Sequence, residues 1–222
     1  MSLEKIHLRK LLQIFYAPNN KRISILRADI RQEISKGTGL SGDGGDFHTA
    51  FWSGAKRHAL GAADLRALTE VYIERSPQRK RLYPLLRDGF LLWWDEKRRW
   101  RNEPFEAILP SPHGRLTFEE PAATVKVENL LSLEGGDHSN RLIYPYFSEE
   151  PRLSAEAARL GLWLMSEALP HRAIEEMRVL DVIRGASFGI ADVPFQGDEQ
   201  NLFLRRYGQI LNEWHALWKE YD

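Results

Sequence analysis

One stretch of the chain, residues 121–189, restricts the fold more than any other. Two runs rich in β-branched and aromatic residues, 122–133 and 141–147, flank a turn-forming Glu-Gly-Gly-Asp sequence and predict a β-hairpin. The run at 153–169 is apolar on nearly every side, which is typical of a helix buried on most of its surface. A further strand-like run follows at 178–183. The stretch therefore predicts strand, strand, buried helix and strand at the centre of the protein.

The remaining chain adds helices and one more strand to this centre. Apolar residues recur at helical spacing through most of residues 3–101 and again over 199–221, and residues 114–119 form another strand-like run. We therefore expect an α+β fold, with a helical first half and a small, mainly antiparallel sheet in the second. A buried helix and a long C-terminal amphipathic helix complete it. Trp163 on the first of these helices and Trp214 on the second are expected in the core.

Three prolines between residues 104 and 112 interrupt regular structure and predict a connector. We expect a helical basic region over residues 1–103 and an α+β region over residues 104–222, packed together as one compact unit. Pro145 lies inside one of the strand-like runs, and because proline lacks the N–H that a sheet requires, it predicts an edge strand or a strand that ends early.

The charge of the chain is unevenly distributed although its net value is zero. Residues 1–110 contain 20 Lys and Arg against 13 Asp and Glu, whereas residues 111–222 contain 11 against 18. Such asymmetry favours an anionic partner for the basic half, either nucleic acid or an acidic protein. The alternative is that the two halves pack together and neutralise each other.

The basic charge is concentrated in residues 75–101, where nine basic and three acidic residues alternate with aromatic ones. Leu86, Phe90, Trp93 and Trp100 share one predicted helical face and are expected in the core, which leaves the basic side chains outside. Basic groups beside aromatic rings suit phosphates and unpaired bases, although a solvated basic face has the same pattern. The candidate nucleic-acid-binding residues are Arg79, Lys80, Arg81, Arg87, Lys97, Arg98, Arg99 and Arg101.

The glycine-rich segment 37–46 contains a Gly-x-Gly-x-x-Gly sequence. A dinucleotide site requires a strand before this motif, whereas here a helix is predicted, so we expect a mobile loop without phosphate. Asp43, Asp46 and His48 form a tight cluster of hard metal ligands. Aspartates in glycine-rich loops are more typical of turns, and we predict neither a metal site nor a cofactor.

The order helix, three strands, helix, strand resembles the core of the PD-(D/E)XK nucleases in topology. That family requires an acid on the second strand and an acid-x-Lys sequence on the third, whereas residues 141–147 contain neither an acid nor a lysine, and Glu128 stands alone on the preceding run. A non-catalytic binding or scaffold module is therefore the favoured function, associated with nucleic acid through its basic helix. The alternatives are a metal-dependent, nuclease-like hydrolase and a purely structural subunit.

The absence of cysteine excludes disulfides and thiolate sites. The apolar runs are too short to cross a bilayer, and the N-terminus lacks the apolar region of a signal peptide. The sequence thus predicts a cytoplasmic protein without a membrane partner, and it carries no signal for an oligomeric state.

Overall fold

The structure of the chain is a computed structural model that describes residues 3–37, 47–101 and 103–221. Helices and two mixed sheets make up these residues, which confirms the predicted α+β class. A six-residue π-helical turn, Leu92–Lys97, continues the fifth helix. The helices are α1 (Leu8–Tyr16), α2 (Asn19–Gly37), α3 (Thr49–Ala59), α4 (Leu65–Arg75), α5 (Tyr83–Leu91), α6 (Ala155–Ala168) and α7 (Glu199–Trp218).

The strands form one three-stranded sheet of order β1-β4-β3 and one five-stranded sheet of order β2-β5-β6-β7-β8. Two neighbouring pairs are parallel, β1 with β4 and β6 with β7, and the other pairs are antiparallel. The strands are β1 (Lys5–His7), β2 (Glu106–Ala107), β3 (Gly114–Phe118), β4 (Ala123–Val127), β5 (Leu131–Glu134), β6 (Asn140–Tyr146), β7 (Met177–Asp181) and β8 (Ala186–Phe188).

The expected single sheet is divided in two because the predicted strand 122–133 breaks at Asn129. This residue has a φ of 65°, in the left-handed region that asparagine enters more readily than most residues. The Trp52 Nε1–H donates a hydrogen bond of 2.6 Å to the Asn129 carbonyl. The break sends β4 into the three-stranded sheet and β5 into the five-stranded one, where β5 forms the predicted hairpin with β6.

The helix expected from residue 3 begins later, because the first described residues pair with a strand. Lys5, Ile6 and His7 form β1 beside β4, and Ile6 is buried in the core. The alternation of exposed Lys5 and buried Ile6 is the period-two pattern of a strand. Among residues 3–37 and 47–101, regular structure is thus helical except for this strand, and α1 starts at Leu8.

The predicted buried helix, α6, is the crossover between the parallel strands β6 and β7. Its N-cap is Ser154, as its position before the apolar run suggests. The Ser154 hydroxyl accepts a hydrogen bond of 3.1 Å from the Ala157 backbone N–H. Every residue from Ala157 to Met165 is buried, which fits a segment that is apolar on nearly all sides.

Two apolar clusters form the core, one on each face of the five-stranded sheet. Leu142 and Tyr144 of β6 belong to the first cluster, with residues of α1, α2, α6 and α7. Ile143, between them, belongs to the second, with residues of α3, α4 and α5. Trp163 and Trp214 are both buried in the first cluster, as expected. The division of the chain at residues 103 and 104 stays a prediction.

The C-terminal helix α7 places its apolar stripe mainly on other helices rather than on a sheet. Phe203 contacts the ring of Phe15 on α1 at 5.4 Å and that of Trp163 on α6 at 5.4 Å between centroids. Phe203 also contacts Phe118 of β3, at 5.3 Å between centroids. The stripe that carries Trp214 is thus buried as expected, and α1 and α6 supply much of the surface that covers it.

Pro145 lies in a central strand, so the edge strand predicted from it is wrong. β6 has β5 on one side and β7 on the other. However, β5 begins at Leu131, opposite Ile143, so the strand has no β5 neighbour at Pro145. The missing N–H costs no hydrogen bond to β5 at this position, because β6 is locally an edge there.

Helix α5 and the π-helical turn bring an aromatic row to the second cluster. Leu86, Phe90 and Trp93 are buried, as the predicted helical face required. Trp100 lies beyond the turn and is half-buried.

The predicted mobile loop lies, apart from Gly37, outside the described residues. None of the helices in the described part of the chain combines the length and apolar character needed to cross a bilayer.

Candidate anion-binding pocket

The structure separates the eight candidate basic residues into two groups at opposite ends of α5. Arg79, Lys80 and Arg81 precede its N-terminal end and Arg87 lies within it, while Lys97, Arg98, Arg99 and Arg101 lie at the end of the π-helical turn and after it. The helix and its π-helical turn span fifteen residues, from Tyr83 to Lys97. At a rise of about 1.5 Å per residue the two groups are roughly 20 Å apart along the axis, so they do not form one contiguous surface.

The N-terminal group is largely engaged by other side chains. Arg81 forms two hydrogen bonds with Glu149, of 2.5 and 2.7 Å, and the pKa of Glu149 is lowered by this contact. Arg87 pairs with Asp88 and Glu70. Arg79 is half-buried against the ring of Tyr83, with 5.3 Å between its guanidinium and the ring centroid. Lys80 is exposed and has no hydrogen bond or ion pair with any described residue.

Arg98 differs from the expectation that it would lie outside, because its side chain is only 6% exposed. Its guanidinium stacks 4.0 Å from the centroid of Trp94 and contacts the rings of Trp100 and Phe105. It also pairs with Glu103. Burial lowers the pKa of Arg98, while Glu103 acts in the opposite direction. Stacking of a guanidinium on several aromatic faces stabilises it in this position, so Arg98 shapes the site rather than presenting a free charge.

A cavity of about 410 Å³ lies where the end of α5 meets the corner between β7 and β8. We call it the basic pocket. Residues 97–100 line one side, and residues 185–188 with Arg178 line the other. Four cationic side chains thus face the cavity, and Asp192 is the single carboxylate among its described lining residues. Its volume is within the range of small-ligand sites.

Arg178 reaches the basic pocket from the sheet. Val179 pairs with Phe188, so the residue opposite Arg178 is Gly189. A Cβ at Gly189 would lie 2.2 Å from the Arg178 Nη1. The guanidinium therefore lies across the bare backbone of Gly189, a close approach that only glycine permits. Nη1 donates to the carbonyls of Glu175 and Met177 at 3.0 and 2.7 Å. Nε and Nη2 have no hydrogen bond to any described residue.

Positive charge accumulates around Arg178. Burial lowers the pKa of Arg178, the neighbouring charges of Arg141 and Arg99 act in the same direction, and Asp192 opposes them. Asp192 is itself shared, since it pairs with Arg99 at 3.3 Å and accepts a hydrogen bond of 2.9 Å from the Gly189 N–H. A bound anion would offset this repulsion between like charges.

The sequence interpretation missed Arg141 and Arg178. Each is at or near the start of its strand, β6 and β7, and Arg178 is opposite Ile143, two residues after Arg141. Side chains two residues apart share a face of a strand, so both arginines lie on the face that carries the second cluster. A guanidinium–ring distance of 5.7 Å joins Arg141 to Trp100. The signal was present, because both strand-like runs, RLIYPYF and RVLDVI, begin with arginine.

Trp100 and Arg99 complete the outer part of the basic pocket. The Arg99 side chain is 84% exposed, which leaves it able to swing towards a ligand. Trp100 is held by the rings of Trp94 and Phe105, at 5.7 and 5.1 Å between centroids, and it is only half-buried. The Trp100 indole can therefore stack on a planar group of a ligand, while the charged part of that ligand contacts Arg99 and Arg178.

A second cavity, of about 500 Å³, lies at the start of α1 and is lined in part by Lys10, His48 and Phe147. Its lysine is neutralised by a contact of 2.5 Å with the buried carboxylate of Asp29, and His48 stacks on Phe147 at 4.6 Å. Within the described ranges no three His, Asp or Glu side chains are grouped closely enough to hold a metal ion. Asp43 and Asp46 lie outside those ranges.

A separate half-buried cation, Lys56 on α3, is predicted to make stability depend on pH. Burial lowers its pKa from 10.5 to about 8, and it has no ion pair with a described residue. Below pH 8 both the folded and the unfolded chain carry the proton, so folding bears the full cost of burying the charge. Between pH 8 and 10.5 the unfolded chain binds more protons, and the stability contribution of this group rises with pH.

We expect Lys56→Met to raise the free energy of unfolding at pH 7 by about 1 kcal/mol, after allowance for partial exposure of the side chain. The gain should shrink as the pH approaches 10.5. Urea unfolding of both proteins across this range measures it, and Lys80→Met, at an exposed position, is the matched control. An advantage for Lys56→Met that does not change with pH would contradict the prediction.

Comparison of the chain with protein families, with curated proteins and with solved structures found no match.

Proposed function

We propose that the protein binds single-stranded nucleic acid at the basic pocket, without catalysis. The observation that carries the proposal is Arg178, a half-buried guanidinium whose Nε and Nη2 have no described hydrogen-bond partner and which lines the cavity together with Lys97 and Arg99. Partial burial makes this charge costly, while Nε and Nη2 stay open to a ligand because neither is among the fully enclosed polar atoms. A phosphate group supplies both the negative charge and the acceptor oxygens that offset this cost.

Trp100 favours nucleic acid over other anions. Phosphates spaced along a strand would contact the cations at the rim, while an unpaired base stacks on the exposed part of the indole. In a duplex the bases are stacked on each other and not presented to such a ring. A cavity of about 410 Å³ accommodates one nucleotide unit rather than a double helix, which supports a single-stranded ligand.

The test is to remove two exposed rim charges in the variant Lys97→Ser/Arg99→Ser and to measure binding of a fluorescein-labelled single strand of about 12 nucleotides by anisotropy. We expect an affinity about tenfold lower, and a salt dependence of binding reduced by roughly 1.4 in logarithmic slope, since each lost phosphate contact on a single strand contributes about 0.7. Both side chains are exposed, so the variant should keep its fold.

The matched control is Arg75→Ser/Lys80→Ser, which removes the same charge from exposed positions near the other end of α5. It should bind the strand as the wild type does. An equal loss of affinity in both variants would show diffuse attraction to a basic surface and contradict binding at the pocket. Failure of the wild type to bind at low salt would favour an acidic protein as partner, and hydrolysis of the strand in Mg²⁺ would contradict the non-catalytic part of the proposal.

A further inference from the structure

Two half-buried polar residues that line the basic pocket come from adjacent strands. Ser187 on β8 is opposite Leu180 on β7, and Leu180 is two residues after Arg178. Since side chains alternate along a strand and paired residues share a face, Ser187 and Arg178 lie on the same face of the sheet. Both line the cavity. The Ser187 hydroxyl, like Nε and Nη2 of Arg178, has no hydrogen bond to any described residue.

The cations of the pocket are arranged in depth. Arg178 is half-buried at the sheet, which forms the floor, whereas Lys97 and Arg99 are exposed at the rim. β8 is the edge strand of its sheet, so no further strand closes the cavity on that side. A ligand therefore meets exposed cations first and a partly desolvated arginine with a free hydroxyl beside it last.

We infer that Arg178 and Ser187 recognise a terminal phosphate monoester of the bound strand, which rests on the function proposed above. A phosphate inside the strand is esterified on two sides, so the chain must pass on both sides of it, and it carries one negative charge. A terminal phosphate has a single ester bond, so it can approach the sheet with the chain leaving on one side only. It carries between 1.5 and 2 negative charges at about neutral pH and has three acceptor oxygens.

These properties match the floor of the pocket. The two free nitrogens of Arg178 donate to the phosphate oxygens, and the Ser187 hydroxyl donates to another. Hydrogen bonds between charged partners in a poorly solvated site are stronger than those at the exposed rim. The strand then leaves past Lys97 and Arg99, whose contacts with the following phosphates do not depend on the terminal group. Arg178 and Ser187 thus bind the terminal phosphate, and Lys97 and Arg99 contribute affinity for the strand that does not depend on it.

The experiment compares three strands of one sequence, labelled at an internal base: one with a 5′-phosphate, one with a 3′-phosphate and one with hydroxyl groups at both ends. We expect one of the phosphorylated strands to bind the wild type about tenfold more tightly than the strand without phosphate. The end that gives the preference identifies which terminus enters the pocket.

Two variants locate the preference at the floor. Arg178→Gln should abolish it, so that the three strands bind this variant with equal affinity, even though the loss of a cation from the pocket also weakens the binding of every strand. Ser187→Ala, which removes a hydroxyl without a described partner and so has little reason to disturb the fold, should reduce the preference to about threefold. Ser53→Ala, at an exposed position on α3, is the matched control and should leave the preference unchanged.

The outcomes distinguish this inference from the proposal on which it rests. Equal binding of the three strands, weakened equally in Lys97→Ser/Arg99→Ser, would keep the proposed function and overturn the recognition of a terminal phosphate. A preference that persists in both Arg178→Gln and Ser187→Ala would also overturn it. Absence of binding for all three strands would overturn the proposed function and this inference with it.

Discussion

Replacing Gly89 with alanine should destabilise the protein by about 3 kcal/mol or more, because the added methyl group would push α5 away from the backbone that follows β7. A Cβ at Gly89 would lie 2.1 Å from the carbonyl oxygen of Val182 and 2.2 Å from that of Ile183. Neither atom belongs to a flexible side chain that could move aside. The clash can be relieved only by shifting α5 away from the corner between β7 and β8, which would open the second apolar cluster.

The control for this prediction is Gly208→Ala. Gly208 lies within α7, and a Cβ there would have no described atom within 4 Å apart from its chain neighbours and the backbone of its own helix. Alanine in a helix interior is favoured over glycine by about 0.5–1 kcal/mol, so this variant should be more stable than the wild type. Urea unfolding of both variants measures the two changes. A loss below about 1 kcal/mol for Gly89→Ala would show that α5 does not approach the sheet as closely as described.

The same contact sets the geometry of the basic pocket. Gly185, in the corner after β7, has a φ of 56°, and a Cβ there would lie 2.6 Å from the Gly89 carbonyl oxygen. Two glycines thus allow α5 and the corner between β7 and β8 to meet directly. The basic pocket lies beside this contact, between residues 97–100 and residues 185–188. A shift of α5 would therefore also separate the rim cations from Arg178.

The strands of the centre could be predicted because their patterns are local. The strand-like runs that form β6 and β7 and the apolar run that forms α6 each depend on neighbouring residues, and these predictions are confirmed. The break at Asn129 could not be predicted in this way. The sequence 122–133 has strand character throughout, and the division is produced by tertiary contacts such as the hydrogen bond from Trp52.

The basic pocket shows where the sequence interpretation stops. Lys97 and Arg99 were among the candidate residues because they lie in a basic window, and Arg98 was included for the same reason although an aromatic cage buries it. Arg141 and Arg178 are isolated in sequence and come near each other only through a parallel pairing across α6. Helical spacing cannot foresee such a pairing, since the register of β6 and β7 is set by long-range packing.

Replacing Asp181 with alanine is expected to cost about 3–5 kcal/mol, because it would leave a buried group of donors without their acceptor. Asp181 is 1% exposed at the end of β7. Its carboxylate accepts hydrogen bonds from the backbone N–H groups of Leu153 and Arg184, at 3.2 and 3.3 Å. The Arg184 Nη1 lies 3.3 Å from each carboxylate oxygen.

This network joins the ends of the two parallel strands to the start of α6. The Arg184 guanidinium also donates to the carbonyls of Ser148, at 2.9 Å, and Glu149, which follow β6. Leu153 directly precedes the N-cap of α6. Without the carboxylate, Arg184 would keep its carbonyl partners but lose its counter-charge, and the Leu153 N–H would lose the acceptor described for it. Removing one partner of a buried pair is more costly than the pair is stabilising.

Urea unfolding tests this expectation against Glu128→Ala as the matched control. Glu128 pairs with Arg115 at 3.2 Å, and the Arg115 side chain is 56% exposed, so the loss of that pair should cost about 1 kcal/mol or less. Asp181→Asn retains one carbonyl acceptor of similar shape and should lie between wild type and Asp181→Ala. If Asp181→Ala unfolds no more easily than Glu128→Ala, the Asp181 network is not what holds β6, β7 and α6 together.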